Sequence, residues 1–174
     1  MEVWSRQFNI YLTLAATLAL LCGCETDRPR GPVSSLRVHI EASPGSSGST
    51  QTIPMLRATP VLVTITQQPV LTEANIVAAK VIDAPGGFAI EVRFDETGSW
   101  ILEQYTASNT GQHLAIFGQW SDKIADSRWL AAPLISHRIG NGVLAFTPDL
   151  SRLEAGQLVI GLSNVAQFHQ NKLR

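Results

Sequence analysis

Seven residues, Phe88-Ala89-Ile90-Glu91-Val92-Arg93-Phe94, alternate apolar and polar side chains, and the residue that follows breaks the pattern. Successive side chains of a strand point to opposite faces, so this alternation commits one face of the stretch to a core. Asp95 then offers a carboxylate to the orphan N–H groups of a first helical turn, and Glu96 stands where the helix dipole favours negative charge. The spacing predicts a helix from Glu96 to about Asn109, with Trp100, Ile101 and Tyr105 on its core face. Gly111 closes it, since glycine accepts a left-handed backbone without penalty. A strand that runs straight into a helix needs further strands for both to cover.

The downstream sequence supplies them. His113 to Phe117 reads as the next strand, and residues 118–128 as a polar connection. Trp129 to Pro133 and Leu134 to Ile139 return to the sheet, and Gly140-Asn141-Gly142 makes a tight hairpin turn into a strand at Val143–Phe146. Thr147 and Pro148 have the chemistry of a helix start, because a proline there loses no hydrogen bond. Ala155, Leu158, Val159, Leu162 and Val165 form the buried stripe of this second helix, and residues 167–174 read as a polar tail.

Upstream, Leu36–Ile40 and Pro60–Thr66 read as strands, joined through a flexible Gly/Ser loop at Ser43–Ser49. Thr72 is placed to cap a short helix reaching Ala79, and Val81–Ala84 begins a strand that Pro85-Gly86-Gly87 turns. Residues 36–68 therefore read as short N-terminal strands preceding a main domain at 69–166.

The first residues follow other rules. Arg6 gives a positive start, and Ile10 to Leu21 runs apolar over too few residues to span a bilayer comfortably. Such a run suits the core of a secretory signal peptide, here 1–23. It ends in Leu21-Cys22-Gly23-Cys24, which resembles a bacterial lipobox, with Cys24 as the lipid attachment point. A single acyl chain, at about 0.8 kcal/mol per buried methylene, binds a membrane only marginally, so a palmitate-type anchor of two or more chains is expected. Residues 24–35, with Arg28-Pro29-Arg30-Gly31-Pro32, read as an extended tether. The expected partner of this end is a membrane, and the protein would lie in the cell envelope, facing the periplasm or exterior. Both cysteines fall at the signal, so the rest of the chain has no thiol, disulfide or cysteine-ligated metal.

Composition narrows the chemistry further. A net charge of -1 with no basic stripe argues against a nucleic-acid partner. His39, His113, His137 and His169 are scattered without ligand spacing. Gly140-Asn141-Gly142-Val143-Leu144-Ala145 has the letters of a dinucleotide fingerprint, but a strand and not a helix follows it. There is no Gly-x-Ser-x-Gly elbow, and Asp95-Glu96 is explained by capping. No catalytic residue, cofactor or metal is expected. Trp120, Arg128 and Trp129 border the polar connection and form a candidate partner-contact patch, since tryptophan and arginine are enriched at binding hot spots. The alternative is that the tryptophans close one end of the core, with Arg128 stacked on Trp129.

Several short motifs recur in a family-like order. They are Pro69-Val70-Leu71-Thr72-Glu73, Phe94-Asp95-Glu96-Thr97-Gly98, Leu114-Ala115-Ile116, Ala132-Pro133 and Phe146-Thr147-Pro148. This order resembles the head subdomain of the first periplasmic domain of SecD and SecDF, export-associated membrane proteins. The resemblance runs from about Pro69 to Val165. It departs at Gln119-Trp120-Ser121-Asp122, where the family places an aspartate-glycine turn, and at a shortened segment between Ile139 and Phe146. The translocase's membrane helices are not in this sequence. The resemblance implies an α+β, ferredoxin-like head, an antiparallel sheet with two helices packed on one face, and a site outside the cytoplasm. It also implies a non-catalytic binding module contacting envelope or exported proteins. The alternatives are a structural envelope lipoprotein with no transient client and a cryptic hydrolase or small-ligand binder.

Overall fold

The computed structural model describes residues 29, 31–43, 48–55, 60–121 and 123–172. The signal peptide, Cys24 and the start of the tether lie outside the described residues, as does the middle of the Gly/Ser loop. In chain order come β1 (Ser35–Ile40), β2 (Thr50–Met55), β3 (Val61–Thr66), β4 (Ile76–Ala84) and β5 (Gly87–Phe94). They are followed by α1 (Glu96–Ser108), β6 (Leu114–Gln119), β7 (Ser127–Ala131), β8 (Val143–Phe146) and α2 (Arg152–Lys172). The class is α+β. The strands pair in three antiparallel sheets, β4–β5–β8, β1–β6–β7 and the hairpin β2–β3, and not in a single sheet.

The alternation of Phe88–Phe94 does what a half-buried strand requires. Ile90, Val92 and Phe94 face a core shared with Leu144 and Phe146 of β8, Leu36, Val38 and Ile40 of β1, and Leu158 and Leu162 of α2. Helix α2 lies along β4 and also touches β1 and β5, so one helix ties the two three-stranded sheets together. Strand β6 carries the run Leu114-Ala115-Ile116, buried throughout because both of its faces are covered. Leu114 and Ile116 meet the main core, whereas Ala115 meets Ile53, Met55, Val63 and Ile65 of the hairpin. His39 sits on that second face, where its Nδ1 donates to the Thr66 carbonyl at 2.9 Å and its ring stands edge-on to Trp129.

Several expectations from sequence are corrected. Trp100 and Tyr105 are not core residues; they are 63% and 41% exposed, and α1 buries Gly98, Leu102 and Thr106 instead. The cause lies at the start of the helix. A Cβ on Gly98 would come within 2.9 Å of the Asn75 side chain and 3.0 Å of Phe94 Cβ, so only a glycine lets α1 approach there, and that approach sets the helix's rotation. Thr106 completes the same stripe by accepting the Ile139 N–H at 2.9 Å and donating to the Leu102 carbonyl at 2.7 Å.

The short helix expected from Thr72 to Ala79 is a single 3-10 turn, Glu73–Asn75, after which β4 begins at Ile76. The β-branched residues of 76–84 pair with the whole of β5, and that ladder outweighs local helix preference. Helix α2 starts at Arg152 and not at Thr147. Ser151 and Glu154 form a reciprocal cap: the Ser151 N–H donates to the Glu154 carboxylate at 2.8 Å and the Glu154 N–H to Ser151 Oγ at 3.3 Å. The expected polar tail continues this helix to Lys172. The expected hairpin around Gly140-Asn141-Gly142 does not form; β8 pairs with β5, and the Phe94 N–H donates to the Gly142 carbonyl at 3.0 Å. Gly142 has φ +67° and its position would place a Cβ 2.0 Å from Ser99 Oγ, so the turn docks on α1.

Candidate functional site

Of the three side chains marked as a contact patch, Trp120 and Arg128 are brought together, Trp129 lies on the other face of the sheet, and all three pack against other side chains of the molecule. Trp120 is 5% exposed and belongs to the main core. The Arg128 guanidinium covers its ring at 4.9 Å and donates to Glu154 Oε1 at 2.6 Å. Trp129 packs edge-on to Phe117 and His39, each at 5.3 Å, on the hairpin side of the sheet. The period of a strand explains the split: in β7, Arg128 and Leu130 share one face and Trp129 takes the other. Arg128 therefore stacks on Trp120 and not on Trp129. The ion pair also fixes the cap of α2. The Glu154 carboxyl is held below the usual carboxylate range, first by the Ser151 backbone N–H and hydroxyl and then by Arg128.

Two other surfaces are open. The first is β4, nine residues long, which forms an outer strand of its sheet. Among the described residues, its only backbone partner is β5, and one side chain, that of Gln170, reaches the Val77 carbonyl at 3.5 Å. Helix α2 covers the inner face, where Arg152 meets Asp83 at 2.6 Å. The outer face presents Ala78, Lys80 and Ile82 beside Glu91 and Arg93, with Lys80 paired to Glu91 at 2.9 Å. A shallow depression of about 180 Å³ lies over it, lined by Ala78, Arg93 and Val143 among others.

The second surface is a groove of about 840 Å³ between α1 and the corner where β1 and β3 end. Ile101, Tyr105 and Asn109, spaced i, i+4 and i+8, form the helical wall, with Trp100 beside them. Ile40 and Val70 face them, and Thr66-Gln67-Gln68 lines the bottom. Part of the floor's backbone is already paired: the Gln67 N–H donates to the Ser49 carbonyl at 3.0 Å and the Val70 N–H to the Val38 carbonyl at 2.8 Å. Glu41, also lining the groove, is held by His113, whose backbone N–H and ring Nδ1 lie 2.8 Å and 2.7 Å from its Oε2. Among the described residues, no three His, Cys, Asp or Glu side chains converge to hold a metal ion.

Sequence reasoning missed this groove because α1 carries two competing stripes. Gly98-Leu102-Thr106 and Ile101-Tyr105-Asn109 have the same spacing, and the second is the more hydrophobic to the eye. The signal that separates them is Gly98, a small residue in the first turn.

The sequence pattern of the SecDF P1 head subdomain matches residues 50–166. That match begins within the segment expected to precede the main domain. Among solved structures, the chain is similar to a membrane component SecDF that enhances protein export, at 23% identity and a TM-score of 0.54, covering 77% of this chain and 64% of that one. It is similar to SecDF in a super-membrane-facing form at 21% identity and a TM-score of 0.55, covering 77% of this chain and 19% of that one. A third similarity, to SecDF from Thermus thermophilus, a translocon-associated membrane protein, has 14% identity and a TM-score of 0.40 over 92% and 34% of the two chains. The chain thus spans less than two thirds of the length of each. No curated protein matches the sequence. No helix among the described residues is long and apolar enough to cross a membrane.

Proposed function

Because the chain belongs to the SecDF P1 head subdomain family, whose pattern takes in about two thirds of it, we propose that it is a non-catalytic binding module of the bacterial envelope. It is held at a membrane by lipid on Cys24 and captures extended segments of exported or envelope proteins. Residues 1–23 are the signal that is removed, and 24–35 the tether. The two three-stranded sheets with α1 and α2 are read as a ferredoxin-like head whose ladder parts between β7 and β8. The contact role first assigned to Trp120, Arg128 and Trp129 passes to β4, since those side chains are engaged inside the molecule.

The observation that carries this reading is the outer edge of β4, to which no backbone group among the described residues is bonded. An extended client can add there as a further strand, with main-chain hydrogen bonds supplying affinity and the side chains beside Ala78 and Ile82 supplying preference. A segment of about six residues forms roughly six such bonds, each contributing about 0.5–1.5 kcal/mol net. Ordering the segment costs about 2–5 kcal/mol, which leaves a weak and reversible complex. Weak capture suits a client that has to be released. Lys80 and Asp83 on the strand deter permanent pairing with another copy, as charges do on natural sheet edges.

A photo-crosslinker at Ile82 tests this in cells that are exporting protein, with Gln157 on the exposed side of α2 as the control. Adducts with unfolded exported chains are expected from Ile82 and not from Gln157. Absence of polypeptide adducts from Ile82 removes the capture mechanism. Separately, Cys24→Ser is expected to move the protein out of the membrane fraction, and a variant that stays there removes the lipid tether.

A further inference from the structure

The groove beside α1 is chemically unlike the β4 edge. We propose that it binds a neutral oligosaccharide, independently of strand capture at β4. Its walls hold two exposed aromatic rings, Trp100 and Tyr105, that the core does not use. The face of an aromatic ring carries partial negative charge and the C–H bonds of a pyranose carry partial positive charge. A flat sugar ring can therefore lie on Trp100 or Tyr105 and bury its apolar face while its hydroxyl groups remain at the rim.

The polar side chains fit that rim. Gln67 and Gln68 each present one acceptor and two donors in a plane, and no hydrogen bond within the described residues engages either side chain. A hydroxyl both donates and accepts, so a planar amide can serve neighbouring hydroxyls of one ring. The groove also carries little charge. Among the described residues, Glu41 is its only acidic or basic lining side chain, and its Oε2 is already held by the His113 backbone N–H and ring Nδ1. An anionic ligand gains nothing here.

A polypeptide fits less well. Each of its residues brings a backbone N–H and C=O that need partners when buried. The floor supplies few of them, because the Gln67 and Val70 N–H groups are bonded inside the protein and the Gln68 carbonyl already accepts from Thr66 Oγ1 at 3.3 Å. Most of the recognition then comes from side chains, which is how a hydroxyl-rich ligand is read. The volume lies within the roughly 300–1,000 Å³ of small-ligand sites.

The test is calorimetric titration of the purified full chain with chitotetraose and cellotetraose, and with a short apolar peptide. Saturable, weak binding of at least one tetrasaccharide is expected, unchanged when salt is raised. Trp100→Ala is expected to weaken it about tenfold, as loss of an aromatic contact does. Gln67→Ala is expected to weaken it by a smaller factor. The Trp100→Ala protein should keep its melting temperature and its crosslinking from Ile82, which separates this site from the β4 edge. No saturable heat with either sugar overturns the proposal. So does sugar binding that survives both Trp100→Ala and Tyr105→Ala, or a groove that binds the peptide and loses it on Trp100→Ala.

Discussion

Two glycines on α2 should respond to the same substitution with opposite signs. At Gly156 an added Cβ meets nothing within 4 Å. Alanine there removes backbone freedom from the unfolded chain and raises helix propensity, for a gain of about 0.5–1 kcal/mol. At Gly161 the same Cβ would stand 2.1 Å from Ser34 Oγ and 2.7 Å from both Ser34 Cβ and Ser34 N. The hydroxyl can rotate away, but the backbone nitrogen cannot. Ser34 is buried, and the chain beside it is pinned by the Asn164 side-chain amide donating to the Pro32 carbonyl at 2.8 Å. Forcing a methyl group into such a contact costs about 1–3 kcal/mol or more, which exceeds the propensity gain. Gly161→Ala should therefore lose about 1–2 kcal/mol, so the two variants should differ by about 1.5–3 kcal/mol. For a domain of this size that is a gap of roughly 5–9 °C in Tm, read by far-UV circular dichroism. Ser34→Gly combined with Gly161→Ala should recover part of the loss. If both single variants rise in Tm together, residues 32–34 do not pack on α2 and the reasoning from that contact is wrong.

His39 should give the fold a pH dependence. Burial pushes its pKa down, with Arg37 adding to this and the Thr66 carbonyl opposing it. The unfolded chain takes up the proton near pH 6.5 while the folded one resists, so stability is complete above about pH 7 and falls as the pH drops below 6.5. Denaturation at pH 7.5 and 5.5 should show a loss that His39→Gln abolishes, and an unchanged loss in that variant refutes the assignment. Ser151→Ala should cost about 1 kcal/mol as a lost helix cap, measured in urea. Because the Glu154 carboxyl is held below the usual range, its contribution is present above about pH 4.5 and lost as the pH falls through the folded value. Without the Ser151 hydroxyl, that acid-side loss should shrink. Trp120→Ala should cost about 3–5 kcal/mol, whereas Trp100→Ala should stay within about 0.5 kcal/mol. Equal costs at the two tryptophans would contradict their burial.

The sequence by itself determined the local elements whose signals are chemical and short-range. Phe88–Phe94 could only be a half-buried strand, and Asp95 caps α1 by accepting the Gly98 N–H at 2.6 Å; the helix ends at Ser108 with Asn109 as its C-cap, and Gly111, with φ +89°, turns the chain just beyond it. The stripe at Ala155, Leu158, Leu162 and Val165 faces inward as its spacing required. The motif order from Pro69 to Val165 also pointed to the head subdomain that the family match then confirmed. What tertiary structure decided is which of several locally acceptable choices survived. Residues 76–79 extend because β5 offers a ladder over the full length of β4, a gain no short helix there could equal. Trp120 lies inside and Trp100 outside, although both are tryptophans beside polar residues, because each inherits the rotation of its own element. The rotation of α1 follows from the close approach of Gly98 to Asn75 and Phe94, a contact between segments that no local pattern encodes. Sequence periodicity names the faces of a helix or strand; only packing against distant neighbours determines which face is left for a ligand.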